Sequence, residues 1–346
     1  MNVRVQKTLP VLIGDRTFQV TSDDLYLDNL NGVFEPDSVE LFRTLVSPND
    51  IALDIGANIG CTGILLSTLV KKVICFEPSP TTFTLLQKNI GAAGAVNVHL
   101  INAGLGRREE LLQLVFHPSN RSGGFVTTEV LEGHTVEAIK ILQGDSYVQG
   151  AKLEQPIGFI KIDVEGFELD VIEGLAQTIA THKPVVTLEL NHWCLNAFRR
   201  MSVPDFLDAL RAVFPILYAV GKNDAKDLHS PTQSYHVMHE HIVHFDYPSI
   251  VGAFNEGQLS QFLDHYIRRG PVLQRPGRER QQLTAEVADL RAQFDAQQAQ
   301  HECEQRTASE SISQLSAALA AMKNSTSWRL TAPLRAIRNI FRIDGM

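Results

Sequence analysis

The chain has 346 residues and a formal net charge of −8, and this acidic excess excludes a protein that binds nucleic acid through bulk positive charge. Hydrophobic residues make up 44% and charged residues 20%, which is ordinary for a soluble globular protein. The four cysteines (Cys61, Cys75, Cys194 and Cys303) are widely spaced, so we expect reduced thiols rather than a disulfide framework or a zinc site. We expect no signal peptide and no membrane span, and therefore a cytoplasmic protein.

The first 45 residues form a lead-in to the main domain. Apolar runs at 11–13 and 17–20 predict two short strands, and residues 38–45 predict a helix. We place the main domain after this lead-in, over residues 46–250.

The run Ile51–Ile55 is apolar apart from Asp54, and small residues follow it at once. This pattern predicts a buried strand that ends in a tight turn and opens a helix. Because Gly56 and Gly60 carry no side chain, such a turn lets a ligand approach the backbone closely.

A second buried strand, Val73–Phe76, ends at the carboxylate of Glu77. A glycine turn after one strand and an acid at the tip of the next is a layout for a nucleoside, because the acid accepts hydrogen bonds from ribose hydroxyls. Dinucleotide sites have a glycine where this turn has Asn58, whose side chain crowds the position of a pyrophosphate. A nucleoside with a small amino-acid tail, such as S-adenosylmethionine, fits better. The alternative is a strand–turn–helix unit without a ligand.

Further helices and strands alternate along the chain. We predict helices at 64–69, 80–90, 167–179 and 204–213, and strands at 97–101, 160–162, 184–190, 215–220 and 241–245, with extra strands at 111–116 and 135–142. The alternation indicates a parallel α/β sheet, in which ligands bind outside the carboxyl ends of the strands. Asn102 and Ala103 follow one of these strands, and we expect them to face an adenine ring.

Three acids, Asp163, Glu165 and Glu168, follow the strand that contains Lys161. Methyl transfer to oxygen needs an aligned acceptor and removal of its proton, and Asp163 and Glu165 are candidates for the base. His192 follows the next strand and is a further candidate, because imidazole titrates near neutral pH, although a structural histidine in a loop fits equally. Glu168 is either a salt-bridge partner or an acid in a first helical turn. We expect Lys161 to point toward an acid rather than to act in catalysis.

We predict no metal site. Asp163 and Glu165, with Glu189 or Asn191 after the next strand, are oxygen ligands that suit magnesium, so magnesium dependence is the alternative. The histidines at 229, 236, 239, 241 and 244 could also suggest a metal. The alternation at His239 and His241 fits one face of a strand better, and we favour ordinary loop and strand histidines.

Three motifs together closely resemble the FkbM family of S-adenosylmethionine-dependent methyltransferases. They are Leu53–Gly60, Phe76–Pro78 and Lys161–Glu168. The resemblance implies a Rossmann-like class I methyltransferase sheet with flanking helices. It also implies methyl transfer to a hydroxyl of a saccharide, a glycan precursor or a related natural product. By the same resemblance the methionine end of the donor is lined by Asp54, Gly56, Asn58 and Gly60, and Glu77 binds the ribose.

Two functions of other classes stay open. One is a nicotinamide-dependent oxidoreductase, against which Asn58 argues because the middle glycine of the dinucleotide motif is missing. The other is a noncatalytic scaffold of a glycan-synthesis complex. Binding of reduced nicotinamide, or failure to bind S-adenosylmethionine, would separate them from the methyltransferase.

The chain changes character after the main domain. A connector at 251–278 contains two prolines and a glycine near its end. Residues 279–323 then repeat apolar side chains with four–three–four spacing, which predicts a long helix that pairs as a coiled coil and forms a homo-oligomer. The alternative for this segment is a solvated linker.

Residues 324–346 form a basic amphipathic tail. Tryptophan, leucine, isoleucine and phenylalanine alternate with arginines at helical spacing, as in helices that lie on an anionic membrane surface. The string Ser327–Arg335 is also similar to a tail of bacterial glycan-synthesis enzymes. We expect the tail to dock on the inner face of the cell membrane or on a partner protein.

Overall fold

The computed structural model describes residues 6–127 and 132–268, together with positions 316, 317 and 321. The chain divides into two compact units, Met1–Pro271 and Val272–Met346. The three described residues of the second unit are helical. Apart from them, the predicted coiled coil and basic tail lie outside the described residues.

The described part of the first unit contains strands and helices in alternation. The strands are β1 (Lys7–Ile13), β2 (Arg16–Ser22), β3 (Ile51–Ile55), β4 (Lys72–Phe76), β5 (Val98–Ile101), β6 (Gly104–Gly106), β7 (Glu110–His117), β8 (Asn120–Val126), β9 (Thr135–Gln143), β10 (Ile157–Ile162), β11 (Val185–Glu189), β12 (Ile216–Val220), β13 (Ala225–Asp227) and β14 (Ser249–Ala253). The helices are α1 (Tyr26–Leu30), α2 (Pro36–Leu45), α3 (Cys61–Leu69), α4 (Pro80–Ala93), α5 (Gly144–Ala151), α6 (Glu168–Gly174), α7 (Ala176–His182), α8 (His192–Cys194), α9 (Val203–Val213), α10 (Pro231–His244) and α11 (Ser260–Leu263). Short segments are π-helical at Leu195–Arg199 and Asp264–Arg268 and 3₁₀-helical at Glu256–Leu259.

An eight-stranded sheet forms the centre of this unit, with the strand order β13-β12-β14-β11-β10-β3-β4-β5. The strands from β11 to β5 in this order run parallel, whereas β14 runs antiparallel to both β11 and β12. The predicted α/β class is confirmed, although the sheet is mixed and not wholly parallel. The chain order reverses at β3, since β4 lies on one side of it and β10 on the other, and such a reversal opens a crevice at the carboxyl ends of the strands.

The central strands are buried on both faces of the sheet, as parallel strands covered by helices must be. All five residues of β3 are buried. Successive side chains point to opposite faces, so Ala52 packs in one hydrophobic cluster while Leu53 and Ile55 pack in the other. This double burial explains why β3 is apolar almost throughout rather than alternating with polar residues.

A second sheet has four strands in the order β6-β9-β7-β8. Along the chain these strands lie between β5 and β10 of the central sheet. Its strands β7 and β9 confirm the two extra strands predicted from the sequence. Strand β8 was not predicted, because its sequence Asn-Arg-Ser-Gly-Gly-Phe-Val has little apolar alternation.

The predicted domain boundaries differ from the packing in the structure. The lead-in is not separate from the main domain, since Phe42 of α2 packs edge-on against Phe159 of β10 at 5.7 Å between ring centroids. The boundary at residue 250 cuts strand β14. Beyond it, Phe262 and Tyr266 pack in the same hydrophobic cluster as the lead-in, so the residues up to 268 are part of the unit rather than a connector. Among the described residues, no helix combines the length and apolar character needed to cross a bilayer.

The strand predicted at 241–245 is wrong, because these residues end helix α10 and pass into the turn after it. The alternation of histidines suggested a period of two. The buried residues of the helix are Ser234, Val237 and His241, whose spacing of three and four is helical. Pro231 at the first helical turn was the signal that competed with the alternation.

The predicted helices differ from the structure by a few residues at one or both ends, and two of the differences concern how a helix ends or divides. The helix predicted at 80–90 continues to Ala93 and is capped by Gly94 in the left-handed conformation, with φ of 65°. The helix predicted at 167–179 is divided into α6 and α7 at Leu175.

Candidate active site

A cavity of about 390 Å³ opens at the carboxyl ends of the parallel strands. It is lined by the turn after β3, the tips of β4, β10 and β11, the inner side of the small sheet, and part of the lead-in. Among the predicted site residues, the cavity is lined by Gly56, Asn58, Gly60, Glu77, Asp163 and Glu165. The convergence of strand ends predicted from the sequence is therefore present.

The turn after β3 is built from residues in the left-handed conformation. The φ angles are 82° at Gly56, 49° at Asn58 and 101° at Gly60. A Cβ atom on Gly56 would lie 1.8 Å from the carbonyl oxygen of Asp163, so only glycine allows the turn to approach the tip of β10 this closely. Asparagine tolerates the left-handed region better than most residues, which explains how Asn58 fits the turn.

Gly56→Ala is expected to destabilise the protein by roughly 3 kcal/mol or more, since a left-handed alanine costs about 1–3 kcal/mol and the backbone clash adds an overpacking cost. Gly91→Ala is the matched control. A Cβ atom there meets nothing within 4 Å, and the position is inside α4, so a gain of about 0.5–1 kcal/mol is expected. Urea unfolding of both variants measures the difference, and equal stability of the two would refute this account of the turn.

Glu77 joins the turn to the tip of β4. Its Oε2 atom accepts the backbone N–H of Asn58 at 3.0 Å, and its Oε1 atom accepts that of Ser79 at 2.9 Å. Burial raises the pKa of Glu77 to about 7, although both backbone hydrogen bonds lower it. The carboxylate is thus fixed at the cavity wall, where a ribose hydroxyl can donate to it.

Lys161 points toward two acids, as the sequence predicted. Its Nζ atom lies 3.4 Å from Oδ1 of Asp54 and 3.2 Å from Oδ2 of Asp163, and it donates to the carbonyl oxygen of Gly56 at 2.9 Å. Burial lowers the pKa of Lys161, but the carboxylates of Asp163 and Asp54 outweigh it and hold that pKa above its usual value. Asp54 is fully buried beneath the turn and does not line the cavity, so it acts on the site through Lys161.

Three carboxylates meet at the tips of β10 and β11. Asp163, Glu165 and Glu189 each present an oxygen, and these oxygens all lie within 4.8 Å of one another. Burial and the neighbouring carboxylate of Asp163 raise the pKa of Glu165 to about 7. Burial raises the pKa of Glu189 well above its usual value, and the carboxylates of Asp163 and Glu165 raise it further. This cluster can take up a proton near neutral pH, and its oxygens also match the donor set that magnesium prefers.

Glu165 is held by the segment that follows β11. Its Oε2 atom accepts from Nδ2 of Asn191 at 3.0 Å and from Sγ of Cys194 at 3.0 Å. Glu168, at the start of α6, accepts the backbone N–H groups of Val164 at 3.3 Å and Gly166 at 3.1 Å. Glu168 therefore acts as the first-turn acid of α6 and fixes the turn that carries Glu165.

Besides Asp54, three further predicted site residues lie away from the cavity wall. His192 packs against the rings of His241 and Phe245, with centroids 5.0 and 5.6 Å away, and does not line the cavity. Asn102 donates from Nδ2 to the carbonyl oxygen of Glu77 at 2.9 Å and supports the tip of β4 from behind. Ala103 is buried, and the cavity is lined instead by the next two residues, Gly104 and Leu105.

Sequence reasoning missed the walls that come from outside the three motifs. The lead-in contributes Tyr26, Glu35 and Ser38, and the small sheet contributes Arg121 and Ser122. Nothing in the spacing of these residues signals a ligand. Only the folded chain brings them to the strand tips.

The strand order of the sheet reverses beside a glycine turn, and an acid lies at the tip of the neighbouring strand. These features define the class of nucleoside-binding α/β proteins to which class I methyltransferases belong. Residues 54–214 match the family model of the Methyltransferase FkbM domain. This match confirms, over these residues, the resemblance recognised from the three motifs.

Two curated relatives are similar to part of the chain. The hexuronic acid methyltransferase AglP of Haloferax volcanii is 30% identical over 145 residues, which cover 42% of this chain and 58% of that protein. Methyltransferase 1 of Beauveria bassiana is 27% identical over 148 residues, covering 37% of this chain and 59% of that protein. The chain thus spans less than two thirds of the length of either relative.

Among solved structures, a Methyltransferase FkbM from Methylobacillus flagellatus KT is similar at 18% identity. The match covers 54% of this chain and 46% of that chain, with a TM-score of 0.36.

Proposed function

We propose that this protein is an S-adenosylmethionine-dependent O-methyltransferase that acts on a hydroxyl group of a saccharide, a glycan precursor or a related natural product. The observation that carries the proposal is the placement of Glu77 and the carboxylate cluster around one cavity. One carboxylate suits the ribose of a donor, and the cluster suits the hydroxyl of an acceptor. The family of residues 54–214 supports the same activity.

The donor fits the residues that line the cavity. Glu77 can accept from ribose hydroxyls, and Gly104, Leu105 and Ile141 offer a small, apolar surface for adenine. When bound, S-adenosylmethionine supplies a methyl group that its sulfonium already activates for transfer.

The chain itself then has to align the acceptor and take its proton. Glu165 is our candidate base, since its pKa of about 7 leaves it half deprotonated near neutral pH. As the acceptor oxygen bonds to the methyl carbon, the methyl–sulfur bond breaks with its electrons on sulfur, and the hydroxyl proton passes to Glu165. Asn191 and Cys194 keep the carboxylate in place.

The saccharide acceptor is supported by the printed name of one relative, a hexuronic acid methyltransferase. A hexuronic acid offers several hydroxyls to the carboxylate cluster. The oxidoreductase is disfavoured, because Asn58 lies in the turn at the position where a dinucleotide motif needs its second glycine.

The test has two stages on the full chain. Calorimetry with S-adenosylhomocysteine and with reduced nicotinamide dinucleotide should show micromolar binding of the first only. Incubation with S-adenosylmethionine and glucuronic acid or its methyl glycoside should then yield a product heavier by one methylene group. Binding of the nicotinamide alone would favour the oxidoreductase, and binding of neither would favour the scaffold.

A further inference from the structure

One wall of the cavity comes from the lead-in rather than from the matched family domain. Tyr26, Glu35 and Ser38 line the cavity, together with Phe34 and Phe42. All of them precede residue 54, where the family match begins. Any ligand contact on this wall is therefore additional to those that the motifs imply.

Glu35 lies at the end of the cavity that is formed by the start of α3 and the tip of β10. Cys61 is the first residue of α3. Burial raises the pKa of the Cys61 thiol, and the charge of Glu35 raises it further, to about 12. The thiol is also hydrogen-bonded to Tyr26. Asp163 acts on Glu35 across the same space. The adenosine contacts proposed above, at Glu77 and Gly104, belong to other strand tips.

The charges around Glu35 favour a cationic ligand. Its Oε2 atom accepts from Oγ of Ser38 at 2.8 Å, which fixes the carboxylate without neutralising it. Lys161 is the cation that acts on Glu35, but its ammonium is already contacted by Asp54, Asp163 and the carbonyl of Gly56. Glu35 is exposed as a residue and lines the cavity, so a ligand can reach it, and partial burial of its carboxyl group raises its pKa. The ammonium group of a ligand would add to the positive charge that Lys161 supplies to Glu35.

We propose that Glu35 binds the α-ammonium group of the donor's amino-acid tail and so selects nucleosides that carry such a tail. The inference rests on the proposed function and extends it to a residue outside the family domain. A charge-assisted hydrogen bond between carboxylate and ammonium is among the stronger polar contacts in proteins, and Ser38 orients the carboxylate for it. Asp163, across the cavity, supplies further negative charge.

The test compares two nucleosides that differ in the tail alone. S-adenosylhomocysteine carries the amino-acid tail, and 5′-methylthioadenosine has only a methyl group on the same sulfur. Calorimetry on the full chain should show that Glu35→Gln weakens binding of S-adenosylhomocysteine roughly tenfold to a hundredfold, as loss of a hydrogen bond between charged groups predicts. Binding of 5′-methylthioadenosine should be unchanged.

The matched control is Glu40→Gln, which removes the same charge from helix α2, the helix that Glu35 precedes. Glu40 lies 3.6 Å from His265 and does not line the cavity, so neither affinity should change. Equal weakening of both nucleosides by Glu35→Gln, or no weakening of either, would overturn the inference. If the unaltered protein bound neither nucleoside, the proposed function itself would fail first, and the inference with it.

Discussion

Glu165→Gln is expected to lower the rate of methyl transfer by roughly 10²–10⁴-fold, the range that a positioned base contributes. Glutamine keeps the shape of the side chain and can still accept from Asn191 and Cys194, but it cannot take up a proton. Affinity for S-adenosylhomocysteine should not change, because Glu165 lies among the carboxylates at the strand tips and not at the ribose contact. Turnover and calorimetry on the same preparation measure both.

The pH dependence of the rate provides a second readout. The pKa of Glu165 is raised to about 7, so the base is protonated and inactive below that pH. The rate should therefore rise with pH through about 7 and then level off, and the rise should vanish in Glu165→Gln. Glu173→Gln is the control, since Glu173 pairs with Arg107 at 2.9 Å outside the cavity, and it should keep the full rate and profile.

An unchanged rate in Glu165→Gln would move the proton transfer to another member of the cluster. Loss of activity in a chelator, restored by magnesium, would instead assign Asp163, Glu165 and Glu189 to a cation that lowers the pKa of the acceptor hydroxyl. In that case the rise at pH 7 would shift with magnesium concentration.

Glu77→Ala is expected to weaken donor binding by about 1–3 kcal/mol, the cost of losing one or two buried hydrogen bonds. This corresponds to roughly a 5-fold to 150-fold rise in the dissociation constant. Unlike Glu35→Gln, it should weaken S-adenosylhomocysteine and 5′-methylthioadenosine alike, because both contain the ribose.

Glu77 also holds the turn through the N–H of Asn58, so the variant must be shown to fold. Glu77→Gln keeps one acceptor oxygen and serves as the milder variant, with an intermediate loss of affinity. A folded Glu77→Ala protein that bound both nucleosides normally would contradict the ribose assignment.

The sequence predicted the strands of the site because a strand that is buried on both faces is apolar almost throughout. Ile51–Ile55 is nearly all apolar, and the glycines after it are required by a close backbone approach that no other residue permits. Local requirements of this kind can be recognised in a single sequence. The acids at the strand tips were found for the same reason, since polar residues that end apolar runs stand out.

Features that depend on distant packing were not predictable. His192 follows strand β11, as expected, but its ring packs on His241 and Phe245, and only the position of α10 decides that. Strand β8 owes its existence to pairing with β7 rather than to its own composition. Glu35 reaches the cavity because the lead-in folds back on the sheet, and its immediate sequence contains no trace of this.

Strand β14 is the last strand of the sheet in the chain, yet it lies between β11 and β12, which precede it. During synthesis the sheet therefore cannot close until residue 253 has left the ribosome, and until then the edge of β11 is open. A recombinant fragment limited to residues 54–214 would keep that open edge permanently, and it would lose Phe42 from the face of Phe159. A fragment made for expression on its own should therefore keep the lead-in and continue beyond β14, which makes it far longer than the family match.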